Sequence, residues 1–342
     1  MHKIKHNCII PSAVITIPKS KIKYYQKIDK VPQNGDLIYG EVQKLGQHKS
    51  LESTSARIHT IHDKTRAVFV FGNRYAPDYY EGFVPEQYND ETDLIARGGI
   101  VGSTKCKNGL ISDPTKIKVL GYICDKDGNV INTRERSLIT IKKDHFSKKK
   151  RAKIILCIGT SMNSGKSYAA AACCYALSSA DKNVRAAKVT GTASLKDILL
   201  MEDCGASHIA DFTYLGYPST YMISREELLH IFNTIDFKYG NNPENYLVIE
   251  FADGILQRET AMLLEMPEIK QRIHKIIFCA QDAFGALGGI KLLKDKFNLV
   301  PDAVSGICSS SPLLIRELSE FTDIPIMKSA ERDYKDIFSL IE

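Results

Sequence analysis

The stretch GTSMNSGKSY, residues 159–168, contains the residue types that bind phosphate groups. It ends in the triplet Gly-Lys-Ser, the tail of a loop whose backbone N–H groups and lysine contact an oxyanion. The usual pattern sets four residues between its two glycines. Here five residues separate Gly159 from Gly165, and Thr160 stands where the first glycine belongs. An apolar strand pattern precedes the loop and an alanine-rich helix pattern follows it, so the context predicts nucleotide binding.

The positions of this loop have distinct expected roles. Lys166 should reach the β- and γ-phosphates and act in catalysis, and Ser167 should offer its hydroxyl to Mg²⁺. Gly165 lets the backbone approach the nucleotide closely. The expected nucleotide-binding residues are Gly159, Thr160, Ser161, Met162, Asn163, Ser164, Gly165, Lys166, Ser167 and Tyr168.

The pattern Gly-Thr, four residues, Gly-Lys-Ser resembles the loop of dethiobiotin synthetase and of the cobyrinic acid amide synthetases. The resemblance implies an α/β P-loop NTPase domain with ATP and Mg²⁺ as cofactors, and it extends in scattered motifs over about residues 153–330. In dethiobiotin synthetase the second strand ends in a lysine, followed closely by Thr-Gly or Ser-Gly at the substrate. Lys188, Thr190 and Gly191 stand at the matching places in AAKVTGTAS. We expect Lys188 to be catalytic, with a surface lysine as the alternative, and we expect Thr190 and Gly191 to bind substrate.

A carboxylate follows the next apolar strand. The run YLVI delivers Glu250 to a strand end, where an acidic residue holds Mg²⁺ directly or through water. We therefore expect Glu250 to be catalytic and metal-binding. The resemblance also implies a further carboxylate in the loop after the second strand, where Asp197 is preferred and Asp203 is the alternative. Ser167, Asp197 and Glu250 are the expected metal ligands, and Asp253 stays open as another candidate.

The turn after Glu250 departs from dethiobiotin synthetase, which has a small, Gly-rich turn there. This chain places Asp253 in the turn and Arg258 shortly after it. Both are expected to bind substrate, because an arginine can pair with an anionic group. Arg258 could equally pair with Glu259 or Glu265 on a helix face.

The adenine site of dethiobiotin synthetase lies near segments that resemble AVSGICSS and TDIPIM. Cys308, Ser309 and Pro325 fall in these segments and are expected to contact the base. The usual asparagine after the first segment is absent, so the choice between ATP and GTP stays open.

The composition is that of an ordinary globular chain, with 44% hydrophobic residues, 25% charged residues and a net charge of +6. This charge suits anionic ligands but does not itself indicate nucleic acid. The nine cysteines include no CxxC pair, which favours free thiols in a reducing cytoplasm. No apolar run approaches the length of a membrane span, and the N-terminus lacks a signal-peptide pattern. We therefore expect a cytoplasmic protein without a membrane partner.

The sequence pattern divides the chain into two domains. Short runs rich in Ile, Val, Tyr and Phe predict a small, mostly-β, barrel-like domain over residues 1–145. A lysine-rich run predicts a basic linker over residues 146–152. Apolar strands then alternate with amphipathic helices, which predicts a mostly parallel sheet with helices on both faces over residues 153–342. Within the first domain, the Gly-containing stretches 71–85 and 96–102 are predicted to be loops that serve as structural turns, with a substrate or partner surface as the alternative.

Three functions compete at this point. The favoured one is a Mg-ATP-dependent ligase or kinase that activates a small anionic metabolite, with the chain forming a homo-oligomer. A switch ATPase of the partition-protein type is the alternative, although that class usually has another lysine early in its loop, which TSMNS lacks. A nucleic-acid-associated ATPase is supported only by the basic linker and the β domain, so nucleic acid is not the expected partner.

Overall fold

The computed structural model describes residues 1–4, 8–141, 150–331 and 333–342. Residues 146–149 of the predicted basic linker lie outside the described residues. The chain forms two compact units. The β unit comprises Met1–Leu138, Thr192–Leu195 and Phe212–Met222, and the α/β unit comprises Ile139–Gly191, Lys196–Asp211 and Ile223–Glu342.

The β unit is built from short strands joined by turns. Its described strands are β1 (His2–Lys3), β2 (Tyr24–Gln26), β3 (Leu37–Lys44), β4 (Ser50–Glu52), β5 (Ile58–Thr60), β6 (Arg66–Phe71), β7 (Arg74–Tyr75), β8 (Tyr80–Phe83), β9 (Glu91–Ala96), β10 (Ile100–Lys107) and β11 (Thr115–Cys124). Its described 3-10 turns lie at Ser12–Val14, Lys19–Lys21, Thr133–Glu135 and Phe212–Leu215. Within the sheet, β3, β6, β10, β9 and β11 close into a ring, because β9 pairs with both β10 and β11. The predicted mostly-β, barrel-like domain is therefore confirmed.

Two stretches predicted to be loops contain strands. The stretch 71–85 includes β7 and β8, and the stretch 96–102 includes the first residues of β10. Ile95 and Ile100 are fully buried on either side of the tight turn at residues 97–99, where Gly99 has φ 86°. The glycines of ARGGIVG form a turn between two paired strands. They interrupt the apolar pattern, so the strand residues on either side were not recognised from the sequence.

A buried polar cluster lies in the β unit around His48. Its Nε2 is 3.2 Å from the carbonyl oxygen of Ile95 and 3.0 Å from Nη1 of Arg74. The ring stacks on Tyr79 at 5.5 Å. Burial and the Arg74 charge lower the pKa of His48 from 6.5 to about 4, so the imidazole is neutral at physiological pH.

The two later segments of the β unit are fixed by its first 138 residues. The Glu52 carboxylate accepts hydrogen bonds from the Leu195 backbone N–H at 2.8 Å and from the Ser194 hydroxyl at 3.3 Å. Thr133 Oγ1 donates to the Gly216 carbonyl at 2.8 Å. The β unit thus includes two short segments from beyond residue 153.

The α/β unit has a parallel sheet. Its described strands are β12 (Lys153–Gly159), β13 (Asn183–Lys188), β14 (Ile209–Asp211), β15 (Asn245–Glu250), β16 (Ile273–Ala280) and β17 (Ala303–Gly306), in the order β14-β13-β15-β12-β16-β17. Each neighbouring pair is parallel. Its described helices are α1 (Lys166–Ser179), α2 (Lys196–Asp203), α3 (Arg225–Tyr239), α4 (Arg258–Glu265), α5 (Pro267–Lys270), α6 (Ala283–Phe297), α7 (Pro312–Ser319) and α8 (Tyr334–Ile341).

Helices cover both faces of this sheet. Cys157 of β12 and Cys279 of β16 pack with α1, α2 and α8 in one hydrophobic cluster. Ala280, the next residue of β16, packs with Ala283 and Ala286 of α6 in another cluster. Since successive side chains of a strand point to opposite faces, α1 and α6 lie on opposite sides. The predicted α/β fold with helices on both faces is confirmed. Among the described residues, none of the helices combines the length and the apolar character that crossing a bilayer requires.

Candidate nucleotide-binding site

The phosphate loop connects β12 to α1. Gly165, the residue before the helix, has φ 96°, in the left-handed region that favours glycine. It also lies against Gly306 at the end of β17, since a Cβ on Gly165 would be 2.7 Å from the Gly306 Cα. Gly165 is therefore required both for the backbone conformation and for this close contact.

The ends of three strands hold the loop in place. Thr160 N donates to the Cys279 carbonyl at 2.9 Å, and Ile255 N donates to the Gly159 carbonyl at 2.9 Å. Ile307 N donates to the Ser164 carbonyl at 3.3 Å. Residues in or just after β15, β16 and β17 thus fix the loop at Gly159, Thr160 and Ser164. Parallel strands make this possible, because their carboxyl ends meet at one edge of the sheet.

Gln281 is a loop contact that the sequence reasoning missed. Its Nε2 donates to the Ser161 hydroxyl at 3.3 Å and to the Met162 carbonyl at 3.4 Å. A polar residue directly after a buried strand was the available signal. Of the remaining loop residues, Asn163 is exposed with φ 60°, and Tyr168 is 57% exposed.

Lys166 is folded back onto its own loop. Its ammonium donates to the Ser161 carbonyl at 2.7 Å and lies 3.5 Å from the Ser164 hydroxyl. Burial lowers the pKa of Lys166, against the opposite effect of the nearby Glu250 and Asp253 carboxylates. Binding of a phosphate would exchange the carbonyl contact for a charged one.

Lys188 lies between two carboxylates at the carboxyl edge of the sheet. Lys188 and Glu250 are opposite each other on β13 and β15. The Lys188 ammonium is paired with Asp197, in the first turn of α2, and is 3.5 Å from Oε1 of Glu250. The alternative of a surface lysine does not describe this side chain, which is only 10% exposed. Asp203, the other candidate carboxylate, is exposed at the far end of α2.

The charges in this cluster support one another. Burial alone would lower the pKa of Lys188, but Asp197 and Glu250 outweigh it and the pKa is raised. Burial raises the pKa of Glu250, with Lys188 acting in the opposite direction. For Asp197, burial acts upward, but the Lys188 ammonium outweighs it and the pKa is lowered. The lysine is thus firmly cationic.

The donor set fits a magnesium ion. The Ser167 hydroxyl lies close enough to the Asp197 and Glu250 carboxylates to lower the pKa of both. Within the described residues, Oε2 of Glu250 is buried and has no hydrogen-bond partner of good geometry. The described chain holds no cluster of three or more His, Cys, Asp or Glu side chains suited to a metal. Two carboxylates and a hydroxyl suit Mg²⁺, which keeps several waters and takes its other ligands from phosphates.

The turn after β15 is fixed by two threonines. Thr190 and Thr260 each donate a hydroxyl hydrogen bond to the Ala252 carbonyl at 2.6 Å. Asp253, the next residue, is half-buried and close enough to raise the pKa values of Lys166 and Lys188. The sequence reasoning missed Thr260.

Other predicted substrate residues lie in different surroundings. Gly191 follows the buried Thr190 and has φ 138°. The Arg258 guanidinium contacts Glu259 and donates to the Ile223 carbonyl at 3.0 Å, and its expected contact with substrate stays a prediction. Glu259 is fully buried.

The residues expected to contact the nucleotide base make hydrogen bonds within the protein itself. The Cys308 thiol donates to the Ser305 carbonyl at 3.2 Å, and the Ser309 hydroxyl donates to the Gly306 carbonyl at 2.9 Å. Both side chains are buried. Pro325 is exposed, and its carbonyl accepts from Val304 N at 2.9 Å.

Comparisons with known proteins do not identify a family for this chain. No protein-family model matches the chain, and no curated protein matches it. Among solved structures, it is similar to the signal recognition particle receptor FtsY from Elizabethkingia anophelis in complex with GDP, at 13% identity and a TM-score of 0.39, over 58% of this chain and 66% of that one. It is also similar to a ParA family ATPase from Chlorobium tepidum TLS, at 16% identity and a TM-score of 0.33, over 57% of this chain and 90% of that one. A third similar structure is the Signal Recognition Particle 54 kDa protein from Aeropyrum pernix K1 in complex with GDP. The identity is 13% and the TM-score is 0.32, over 58% of this chain and 50% of that one.

The chain thus spans about two thirds of the FtsY chain and half of the Signal Recognition Particle 54 kDa protein. TM-scores and sequence identities this low are not evidence of a shared function. The class of the α/β unit follows instead from its own features: a parallel sheet, a phosphate loop between β12 and α1, and an acidic residue at the end of the neighbouring β15. It is a nucleotide-binding domain of the P-loop NTPase fold.

Proposed function

We propose that the protein is a Mg-ATP-dependent enzyme of ligase or kinase type, which transfers the γ-phosphoryl group to a small anionic metabolite. The observation that supports this most is Lys188, a buried, firmly cationic side chain beside the expected metal ligands. ATP is the proposed nucleotide because the loop resembles that of dethiobiotin synthetase, and GTP is the alternative that the assay compares with it.

The loop residues bind and orient the triphosphate in this proposal. The backbone N–H groups of residues 160–167 and the start of α1 attract the phosphates. Lys166 leaves the Ser161 carbonyl and contacts the β- and γ-phosphates. Ser167, Asp197 and Glu250 would hold Mg²⁺, which when bound neutralises phosphate charge.

Lys188 acts on the reacting groups. The substrate oxygen forms a bond to the γ-phosphorus as the bond to the β–γ bridging oxygen breaks, and nucleoside diphosphate leaves. Negative charge spreads over the transferring group during this step. A preorganised ammonium in a buried site stabilises that charge without reorganisation, so Lys188 contributes mainly in the transition state.

The test compares nucleotide binding with turnover. We expect Lys188→Ala to lower ATP turnover by about a hundredfold or more, as single preorganised donors do, while the ATP dissociation constant changes little. Lys291→Ala, at a lysine whose side chain is 79% exposed, is the matched control and should leave both unchanged. Turnover is measured with ATP and with GTP, alone and with a panel of small carboxylates and of amines plus bicarbonate.

The alternatives give different results in the same assay. Wild-type turnover by Lys188→Ala would contradict the catalytic role and favour a nucleotide switch. Stimulation by single-stranded DNA, with no response to any small anion, would favour the nucleic-acid-associated ATPase.

A further inference from the structure

Lys188 already neutralises the side chains that would ligate the metal. Its ammonium is paired with Asp197 and lies 3.5 Å from Glu250, and the residue is only 8% exposed. The pairing is built into the sheet, because Lys188 and Glu250 occupy opposed positions on adjacent parallel strands. The ammonium and a divalent cation therefore compete for the same two carboxylates.

We infer that Lys188 is an internal counter-cation that keeps free divalent metal out of the site until a nucleoside triphosphate binds; this rests on the proposed assignment of Asp197 and Glu250 to the metal. The phosphates bring the negative charge that draws the ammonium away from the carboxylates. Metal and nucleotide then favour each other's binding, and this coupling is reciprocal. Release of Lys188 toward the phosphates also delivers it to the position from which it acts.

Lys166 offers an internal comparison. It is also buried, and Glu250 acts on it through space, but its ammonium donates to the Ser161 carbonyl rather than to a carboxylate. Removing Lys166 takes away a nearby positive charge without breaking the pair. Comparing variants of the two lysines thus distinguishes direct competition with the metal for the carboxylates from a general effect of nearby positive charge.

The experiment measures Mn²⁺ binding to the nucleotide-free protein by electron paramagnetic resonance. We expect Lys188→Met to bind Mn²⁺ at least about tenfold more tightly than wild type, a difference of about 1.4 kcal/mol. Lys188→Arg keeps the charge and should bind as weakly as wild type. Lys166→Met should give a clearly smaller increase than Lys188→Met. If Lys188→Met does not fold, Lys188→Gln replaces it, since an amide keeps the hydrogen bonds and removes the charge.

Two results would overturn the inference: Mn²⁺ affinity of the neutral Lys188 variant no higher than wild type, or an equal increase in Lys166→Met. A parallel titration with the non-hydrolysable ATP analogue AMPPNP tests the proposed function separately. If the wild type binds Mn²⁺ no more tightly with the analogue than without it, the metal assignment itself fails. If the analogue promotes Mn²⁺ binding but Lys188→Met does not, the inference alone fails.

Discussion

The Lys188–Glu250 pair permits a quantitative test of the charge cluster. At 3.5 Å, two unit charges attract by about 5 kcal/mol at an effective dielectric constant of about 20. Desolvation offsets part of this attraction, whereas removing one partner leaves a buried charge uncompensated. We therefore expect Lys188→Met to lower the free energy of unfolding by about 3–5 kcal/mol. Glu250→Gln should cost less, because Lys188 keeps Asp197.

A double-mutant cycle isolates the interaction. In the wild-type background, removal of Lys188 leaves both Asp197 and Glu250 without their cation. In the Glu250→Gln background it leaves only Asp197, so the stability losses of the two single variants should not add. We expect a coupling of about 2 kcal/mol or more. Urea unfolding is followed by circular dichroism at 222 nm, a signal that reports the α/β unit because the described α-helices all lie in it.

Effects that add to within about 0.5 kcal/mol would refute this account, because groups that do not interact behave in that way. The pH adds a second check. Burial raises the pKa of Glu250, so without Lys188 the carboxyl should take up a proton more readily in the folded state. The destabilisation by Lys188→Met should therefore shrink as the pH falls from 8 toward 5.

Three further predictions concern single side chains. Lys166→Met should weaken ATP binding about tenfold or more, since a charged hydrogen bond to phosphate is lost, and should abolish turnover; an unchanged dissociation constant by calorimetry would contradict the loop assignment. Thr260→Val should reduce turnover and cost about 1 kcal/mol of stability, because Ala252 loses one of two hydroxyl donors. Thr260→Ser should restore both, and equal losses in the two variants would contradict a hydrogen-bonding role. The lowered pKa of His48 means that the unfolded chain binds a proton more readily, so stability should fall as the pH drops from about 6.5 to about 4, by up to about 3 kcal/mol. His48→Gln should flatten this dependence in near-ultraviolet circular dichroism; a slope equal to that of wild type would exclude His48 as its source.

The phosphate site was predictable because its parts are local in sequence. A strand, a loop and a helix start follow one another over residues 153–167, so β12 and the start of α1 could be placed within a residue. The carboxylate at Glu250 follows from the same logic, since it ends an apolar strand. The choice of Asp197 over Asp203 was weaker, and the structure has Asp197 with Lys188 because α2 begins at Lys196.

Long-range packing was not predictable in this way. Nothing near Gln281 or Thr260 in sequence shows that their side chains contact residues 161 and 252, because the strand order decides it. Cys308 and Ser309 lie in the expected segment, but their side chains bond to their own strand end. Sequence position identified the region, and side-chain direction could not be read from it.

The discontinuity of the β unit has a consequence for biosynthesis. The ring strands have all left the ribosome soon after Cys124 is made, yet the partner of the buried Glu52 carboxylate is Leu195, and the unit is complete only at Met222. At about 5–20 residues per second, synthesis from Cys124 to Met222 takes roughly 5–20 s, and the nascent barrel lacks its last segments during that time. During that interval Glu52 must stay hydrated, so the site where the later segment docks stays open. A gene fusion or recombination event that cuts the chain near residue 140 would therefore transfer an unfinished β unit.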